Sequence, residues 1–538
     1  MLDNLKKNQY FNLICLLSII FFITVGCLIL NSKFDMIDDS YYILLAKALA
    51  TGQGYTEIHL PLPRAHDHFP PGLPVLLSIP TVFGFSFPTT VLLYKLMLIA
   101  CGAGALFLFS RLIQAEGYSP LVQSASILLA ATSIPFVGFT YRVASEMPFT
   151  LFSMLALFWF HRFQTEHQKP INGFLVLLFC GLALFTRSIG IVLIVALFSS
   201  WLLAQKHRRL VVFLVVASGI ILSSLVWFGS HLPGTREYID FFLSAYITRD
   251  DASPLAVIMY YLRENGWLLA WRDIPRAIFS ISVSEAIEAN QWLKLGATPL
   301  RLGISAVVLG GLVYSLRPRI QASSLYVACS LGLIVFWPWN PTRFIVPLVP
   351  FLCLFFVLGI EFLLRQISQM KPDLIRNHNQ LAGLICLLCI LSQLISDIRF
   401  VRTVRASGDF SIQAASLWQD TVDAYQWLKT QTPEQAVIGC DPPIEAHVYL
   451  HTNRKACGLP HRAKGYHRLG ITYVLKLANP VLHQAGPSTS VNPQQVIDQA
   501  KQAGVQLTLA YQNQSVAVFS VAPDLIENSE FRGGRATH

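Results

Sequence analysis

Apolar runs of about 20 residues, separated by short polar breaks, recur from residue 10 to about residue 397. Each is long enough to cross a hydrocarbon core about 30 Å thick as a helix. The breaks define about eleven spans, at 10–30, 88–112, 118–138, 148–163, 171–187, 188–204, 210–229, 299–316, 321–337, 344–364 and 381–397. The runs on either side of Arg187 could instead form one broken element. The first run follows Lys6 and Lys7, is long for a signal-peptide core, and meets no small-x-small cleavage site before the acidic residues, so it reads as a retained anchor. Beyond residue 397 the pattern changes. A helix over about 411–430 turns Trp418, Tyr425, Trp427 and Leu428 inward, and strands follow at 436–440 and near 471–476, 506–511 and 515–521, with a helix near 493–503. Alternating helices and short strands predict a small α/β domain. The chain thus divides into a membrane module at 1–397, with outer loops at 31–87 and 230–298, and a domain at 398–538.

Composition agrees: 54% of residues are hydrophobic and 13% charged, against about 25% charged in soluble domains. The net charge of +10 is scattered over the short loops. That scatter orients spans and does not build a nucleic-acid surface. With the N-terminus in the cytoplasm, the inner segments collect Lys6, Lys7, Arg111, Arg162, Lys169, Lys206, Arg208, Arg209, Arg317, Arg319, Arg365, Lys371 and Arg376. The short outer segments collect only Lys33, Lys47, Arg64, Arg142, Arg187 and Arg343. An odd number of spans then places the C-terminal domain outside the cytoplasm, as in a bacterial inner or plasma membrane. The second outer loop carries Trp267, Trp271 and Trp292 beside Arg263, Arg272 and Arg276, a mixture suited to the membrane interface. Eight of the ten cysteines lie in apolar spans and read as small hydrophobes, Cys386 and Cys389 among them; Cys440 and Cys457, in the polar tail, are the plausible disulfide pair.

The residues with chemical potential gather on the outer side. Asp35, Asp38 and Asp39 follow the first span and precede a short amphipathic helix at 41–50 with Leu44, Leu45, Ala48 and Leu49 toward the membrane. Asp39 or Ser40 could simply cap that helix. Three acids in five positions exceed what a cap needs, and a carboxylate against apolar walls makes a good general base. His66, Asp67 and His68 precede a rigid Pro70-Pro71-Gly72 re-entry, and adjacent ligands without a separated partner are weak metal candidates. Glu146 stands at the mouth of the fourth span, where an ion pair with Arg142 four residues earlier is the plain expectation. Arg187 interrupts 34 largely apolar residues, which costs several kcal/mol unless it meets water, protein or ligand, and arginine favours phosphate geometry. Lys95 lies a turn or two below the outer surface, where snorkelling would explain it. Arg343 again lies on the outer side.

In order, Asp38-Asp39-Ser40-Tyr41-Tyr42, Pro70-Pro71-Gly72, Ser145-Glu146-Met147-Pro148, Thr186-Arg187-Ser188, Arg343-Phe344 with Pro347 and Pro350, and the outer tail domain resemble the polytopic GT-C glycosyltransferases. The similarity runs toward the protein O-mannosyltransferase and lipid A aminoarabinose transferase branch and covers nearly the whole chain. It implies a GT-C membrane module that moves a sugar from a polyprenyl-phosphate donor to an acceptor hydroxyl, usually with inversion. The catalytic acid of that family maps onto Asp38. Asp39 stands where many relatives have glutamate, so its role is less defined. A lipid-phosphate leaving group would make Lys95, Arg187 and Arg343 its phosphate-binding cations, with Tyr42, Arg64 and Glu146 supporting the substrate site. The resemblance implies a lipid, glycan or protein acceptor, and membrane lipids as surroundings.

Two rival classes differ in what they require. A transporter or flippase of lipid-linked sugars places charges near the bilayer midplane in paired repeats, whereas here they sit near span ends and the halves do not echo each other. A lipid-sugar polymerase or ligase shares donor and side but lacks the Asp-Asp-x-x-Tyr loop. The tail carries no independent catalytic constellation, and His447, His451 and His461 are expected to be solvated on loops. The sequence demands no cofactor, leaves a divalent metal open, and names neither the sugar nor the acceptor.

Overall fold

The computed structural model describes residues 2–166, 169–203, 254–317, 320–370, 377–407, 412–478 and 491–522. The chain forms two compact units: Met1–Leu30, Asp67–Leu73 and Leu92–Arg402 make the first, and Asn31–His66, Pro74–Val91 and Thr403–His538 the second.

The first unit is helical. Among the described residues, five helical stretches are long and apolar enough to cross a membrane: Gln9–Leu28, Thr89–Ala115, Gln291–Ser315, Pro341–Met370 and His378–Ala406. Shorter apolar helices include Pro120–Thr132, Pro170–Thr186, Ser188–Leu203 and Ala322–Phe336. The expected span 210–229 lies outside the described residues. The run at 118–138 is one element in the sequence but two in the structure. Pro135 forbids a continuous helix, and Ser133 turns extended between Pro120–Thr132 and Ile134–Gly138. The freed amide of Ile134 donates to Gln393 Oε1 at 3.1 Å, and Gln393 Nε2 donates to the Arg276 carbonyl at 3.0 Å. Such re-satisfaction is what allows a helix to break away from water. Helices Gln291–Ser315 and Val349–Met370 meet glycine on glycine. A Cβ at Gly311 would overlap the Phe355 carbonyl, and one at Gly359 the Val307 carbonyl, so only glycine permits this backbone approach.

The second unit is built on a five-stranded sheet of β1 (Val437–Cys440), β2 (Lys455–Gly458), β3 (Ile471–Leu477), β4 (Leu507–Gln512) and β5 (Val516–Val521), in the order β2-β1-β3-β5-β4. β1 runs parallel to β2 and β3, while β5 is antiparallel to β3 and β4. Both faces are covered. Val516 and Val518 join Ile438, Cys440, Leu475, Tyr425 and Leu428 on one face; Ala517, Phe519 and Val521 join Cys457, Val474 and Val505 on the other. The two-residue period of strands produces this split. The expected α/β tail is present, with inward-facing Tyr425 and Leu428 on helix Ile412–Gln431; strand β2 and helix Glu445–Thr452 were not anticipated. The first outer loop packs onto this domain: the Ala456 amide donates to the His59 carbonyl, and Lys455 Nζ to the Ile58 carbonyl at 2.6 Å.

Three expectations for this unit are corrected. Leu44 and Ala48 do not present a lipid face; they are fully buried against Ile58 and Ala446. His447 and His451 lie four apart on helix Glu445–Thr452 rather than on solvated loops. Their rings are 4.5 Å apart, among Phe34, Trp418 and Tyr425. The Tyr425 hydroxyl bonds His447 Nδ1 at 2.9 Å. Cys440 and Cys457 are free thiols. Cys457 pairs with Gly439 in the ladder, so Cys440, one residue on, points to the opposite face of the sheet and cannot reach it.

Denaturing thiol titration is therefore expected to count ten thiols with and without reductant; eight without reductant would contradict the placement of this pair. Burial also lowers the pKa of His447, and lowers that of His451 from 6.5 to about 4, so both are neutral inside the fold. A depressed folded pKa gives stability that is present above pH 6.5 and lost as pH falls toward 4. Burial raises Glu445 to about 7, which gives the opposite slope, so the readout is the difference between proteins. A His451→Phe variant should lose less melting temperature between pH 6.5 and pH 4 than the parent, by a few °C. Parallel curves would remove His451 from the account.

Candidate functional site

In the first unit, three span ends bring together residues distant in sequence. Helix Glu146–Thr165 starts with an acid, which suits its N-terminus, and carries Pro148 in the first turn, where a missing amide costs nothing. Helix Pro170–Thr186 stops where Arg187 turns extended (φ −149°, ψ 133°) before the 3₁₀ turn Ser188–Gly190. The chain then returns so tightly that a Cβ on Gly190 would lie 2.8 Å from Leu184 backbone atoms. The third end is the 3₁₀ turn Pro341–Arg343, capped by Asn340, whose Oδ1 accepts from the Thr342 amide at 3.1 Å.

At their meeting point Glu146 Oε1 takes Arg187 Nη1 at 2.6 Å and Arg343 Nε at 2.8 Å. Arg187 also donates to Ser145 Oγ at 3.2 Å, and its guanidinium stands 5.0 Å from the Phe344 ring. The Glu146 side chain is 1% exposed, Arg187 10% and Arg343 28%. Two cations share one carboxylate oxygen, and Arg343 is the most accessible member of the cluster. The predicted Arg142–Glu146 pair is replaced, because the carboxylate takes arginines from two other spans. Lys95 does not snorkel: it is fully buried, with Nζ 4.1 Å from the Tyr141 ring centroid. His68 belongs to this unit and pairs with Asp67.

In the second unit the acidic helix runs Asp38–Ala50, three residues earlier than expected. Asp39 and Ser40 do not cap it. The Asp35 amide donates to Asp39 Oδ2 at 3.2 Å, Ser40 Oγ donates to the Asp35 carbonyl at 2.7 Å, and the Ile37 amide donates to Asp35 Oδ1 at 2.7 Å. These bonds brace the turn that delivers Asp38, which is half-buried, while Asp39 and Tyr42 are buried. Arg64 and His66 converge on Glu57, a residue the sequence reading missed. Glu57 Oε2 accepts from Arg64 Nε at 2.8 Å, and Oε1 lies 2.9 Å from His66 Nδ1. The Thr56–Ala65 bridge brings these residues together, and no spacing rule announces it. Burial pushes the Glu57 carboxyl up, but the bonds from His66 and Arg64 outweigh it and hold the pKa below the usual range. His66 is therefore engaged with Glu57. Among the described residues, no three His, Cys, Asp or Glu side chains converge as a metal centre.

Comparison with known proteins agrees with this architecture. Residues 70–232, under a third of the chain, match the dolichyl-phosphate-mannose-protein mannosyltransferase family. That stretch contains Lys95, Glu146 and Arg187 but neither Asp38 nor Arg343. No curated protein matches the chain in sequence. Among solved structures, the apo oligosaccharyltransferase of Archaeoglobus fulgidus superimposes with a TM-score of 0.54 at 13% identity, over 87% of this chain and 70% of that one. ArnT from Cupriavidus metallidurans, in the apo state, gives a TM-score of 0.54 at 9% identity over 96% of this chain and 99% of that one. The same protein bound to undecaprenyl phosphate gives 0.50 at 10% identity. The chain has the GT-C fold of these structures, mostly helical with several apolar candidate spans and a small C-terminal sheet.

Removing one partner of a buried ion cluster leaves uncompensated charge. Glu146→Gln is expected to destabilise the protein by roughly 3–5 kcal/mol, read as a lower melting temperature in detergent. Adding Arg187→Met should restore part of the loss; a further drop would show that the two residues are not coupled.

Proposed function

We propose that this protein transfers a sugar from a polyprenyl-phosphate carrier to an acceptor hydroxyl on the extracytoplasmic face. The observation that carries the reading is the partly accessible Glu146–Arg187–Arg343 cluster, two arginines held by one buried carboxylate, on a GT-C fold. It is supported by the likeness to ArnT, a protein solved with undecaprenyl phosphate. The positive-inside bias of the short loops supports a cytoplasmic N-terminus and an extracytoplasmic tail.

The acceptor oxygen attacks the anomeric carbon opposite the phosphate, the bond from that carbon to the phosphate oxygen breaks, and its electron pair leaves with the lipid phosphate. Asp38 takes the acceptor proton. The leaving group needs cations rather than an acid, and Lys95, Arg187 and Arg343 supply positive charge. Glu146 keeps Arg187 and Arg343 in place, and Asp39, Tyr42 and Arg64 support the substrate side. Acceptors are lipid, glycan or protein hydroxyls.

The test supplies radiolabelled polyprenyl-phosphate sugars to membranes carrying the wild type or Asp38→Asn. The variant should insert normally and lose transfer and donor hydrolysis by about 10²-fold or more. Full transfer by Asp38→Asn would end the assignment of Asp38 as base.

A further inference from the structure

Next to Arg343 lies a second polar network that the proposed mechanism does not use. Helix Pro254–Leu268 widens into the π-helical turn Leu269–Asp273 before helix Ile274–Ile278. Such turns insert a residue into a helix and often mark functional sites. Here the turn ends on Arg272 and Asp273 and delivers both to the Asn340–Arg343 segment. Arg272 Nε donates to Asp273 Oδ1 at 2.9 Å, and Nη2 donates to Asn340 Oδ1 at 3.0 Å and to Thr342 Oγ1. Thr342 Oγ1 lies 3.1 Å from Asp273 Oδ1 and 2.7 Å from Asn340 Oδ1, and its single proton goes to one of them. Upstream, Asn265 Nδ2 donates to the Trp337 carbonyl at 2.6 Å, tying the same helix to the start of the segment. Asp273 is 2% exposed. A buried carboxylate that accepts from its neighbour Arg272 and stands against Thr342 across 69 residues of chain ties the turn to this helix.

The residue after Thr342 is Arg343, so the turn is gripped on one side by Arg272 and Asp273 and on the other by Glu146. We infer that Arg272 and Asp273 are positioning residues that set where the Arg343 guanidinium stands for the phosphate of the donor lipid. This rests on the reading of Arg343 as a phosphate-binding cation. The network itself touches no reacting atom. It removes the freedom of the turn, so that Arg343 need not be ordered each time a phosphate binds.

The experiment measures binding of farnesyl phosphate to the purified full-length protein in detergent, in a double-mutant cycle of Asp273→Asn and Arg343→Ala. Asp273→Asn should weaken binding about ten-fold in the parent but less than about two-fold in the Arg343→Ala background, because its effect passes through Arg343. Thr342→Ser, which keeps the hydroxyl, should bind like the parent, and Thr342→Val should behave like Asp273→Asn. Should Asp273→Asn not fold, Thr342→Val carries the same cycle. Parent-like affinity in Asp273→Asn, with Arg343→Ala impaired, overturns the inference and leaves the phosphate reading standing. Equal losses in both backgrounds reduce the network to general stability and also overturn it. Parent-like affinity in Arg343→Ala overturns the phosphate reading and the inference together.

Discussion

The arrangement of the helical unit turns on one buried carboxylate. Glu146 is paired with Arg187 and Arg343, and the buried acid would not be tolerated without them. An unpaired arginine away from water costs several kcal/mol, and so does a buried unpaired acid. The break in the chain at Arg187, the start of helix Glu146–Thr165 and the turn Pro341–Arg343 are therefore mutually dependent. Each places a charge that the others meet, and the more exposed of the two cations is Arg343.

Other polar groups in this unit are satisfied in the same way. Arg301 is fully buried, donates to the Ser282 carbonyl at 2.8 Å, pairs with Glu288 at 2.7 Å and stands 4.4 Å from the Trp271 ring centroid. Gln393 satisfies the backbone at the Ser133 break, and the Ser280 and Ser396 hydroxyls are hydrogen-bonded at 2.6 Å. In a medium without water every broken helix needs such a partner, so irregular backbone and internal polar side chains occur together.

The second unit obeys a different constraint. Its sheet is covered on both faces, and the loop after the first span supplies part of the cover, with Met36 in one core and Ile58 against Ala446. Histidines that composition would place in solvent are held neutral among aromatic rings, and two cysteines that look like a pair are separated by the sheet itself. The acidic helix is braced by Asp35, Asp39 and Ser40 acting on the turn before it, which leaves Asp38 as the half-buried acid of the group.

Hydrophobic runs carried the helical architecture on their own. Spans at least 15 residues long, a strand-rich tail and the inward face of helix Ile412–Gln431 all follow from periodicity, because burial of apolar side chains is a local, repeating demand. The same reasoning singled out Glu146, Arg187 and Arg343, since a charge in an apolar run is conspicuous. It could not say that the three meet, and it gave Glu146 the wrong partner, Arg142, because only near neighbours in sequence are visible along a helix. Glu57 at His66, Asp273 at Thr342 and the opposed faces of Cys440 and Cys457 were invisible for the same reason. Partnership between residues tens or hundreds of positions apart depends on how the chain returns on itself, and only the tertiary structure decides that.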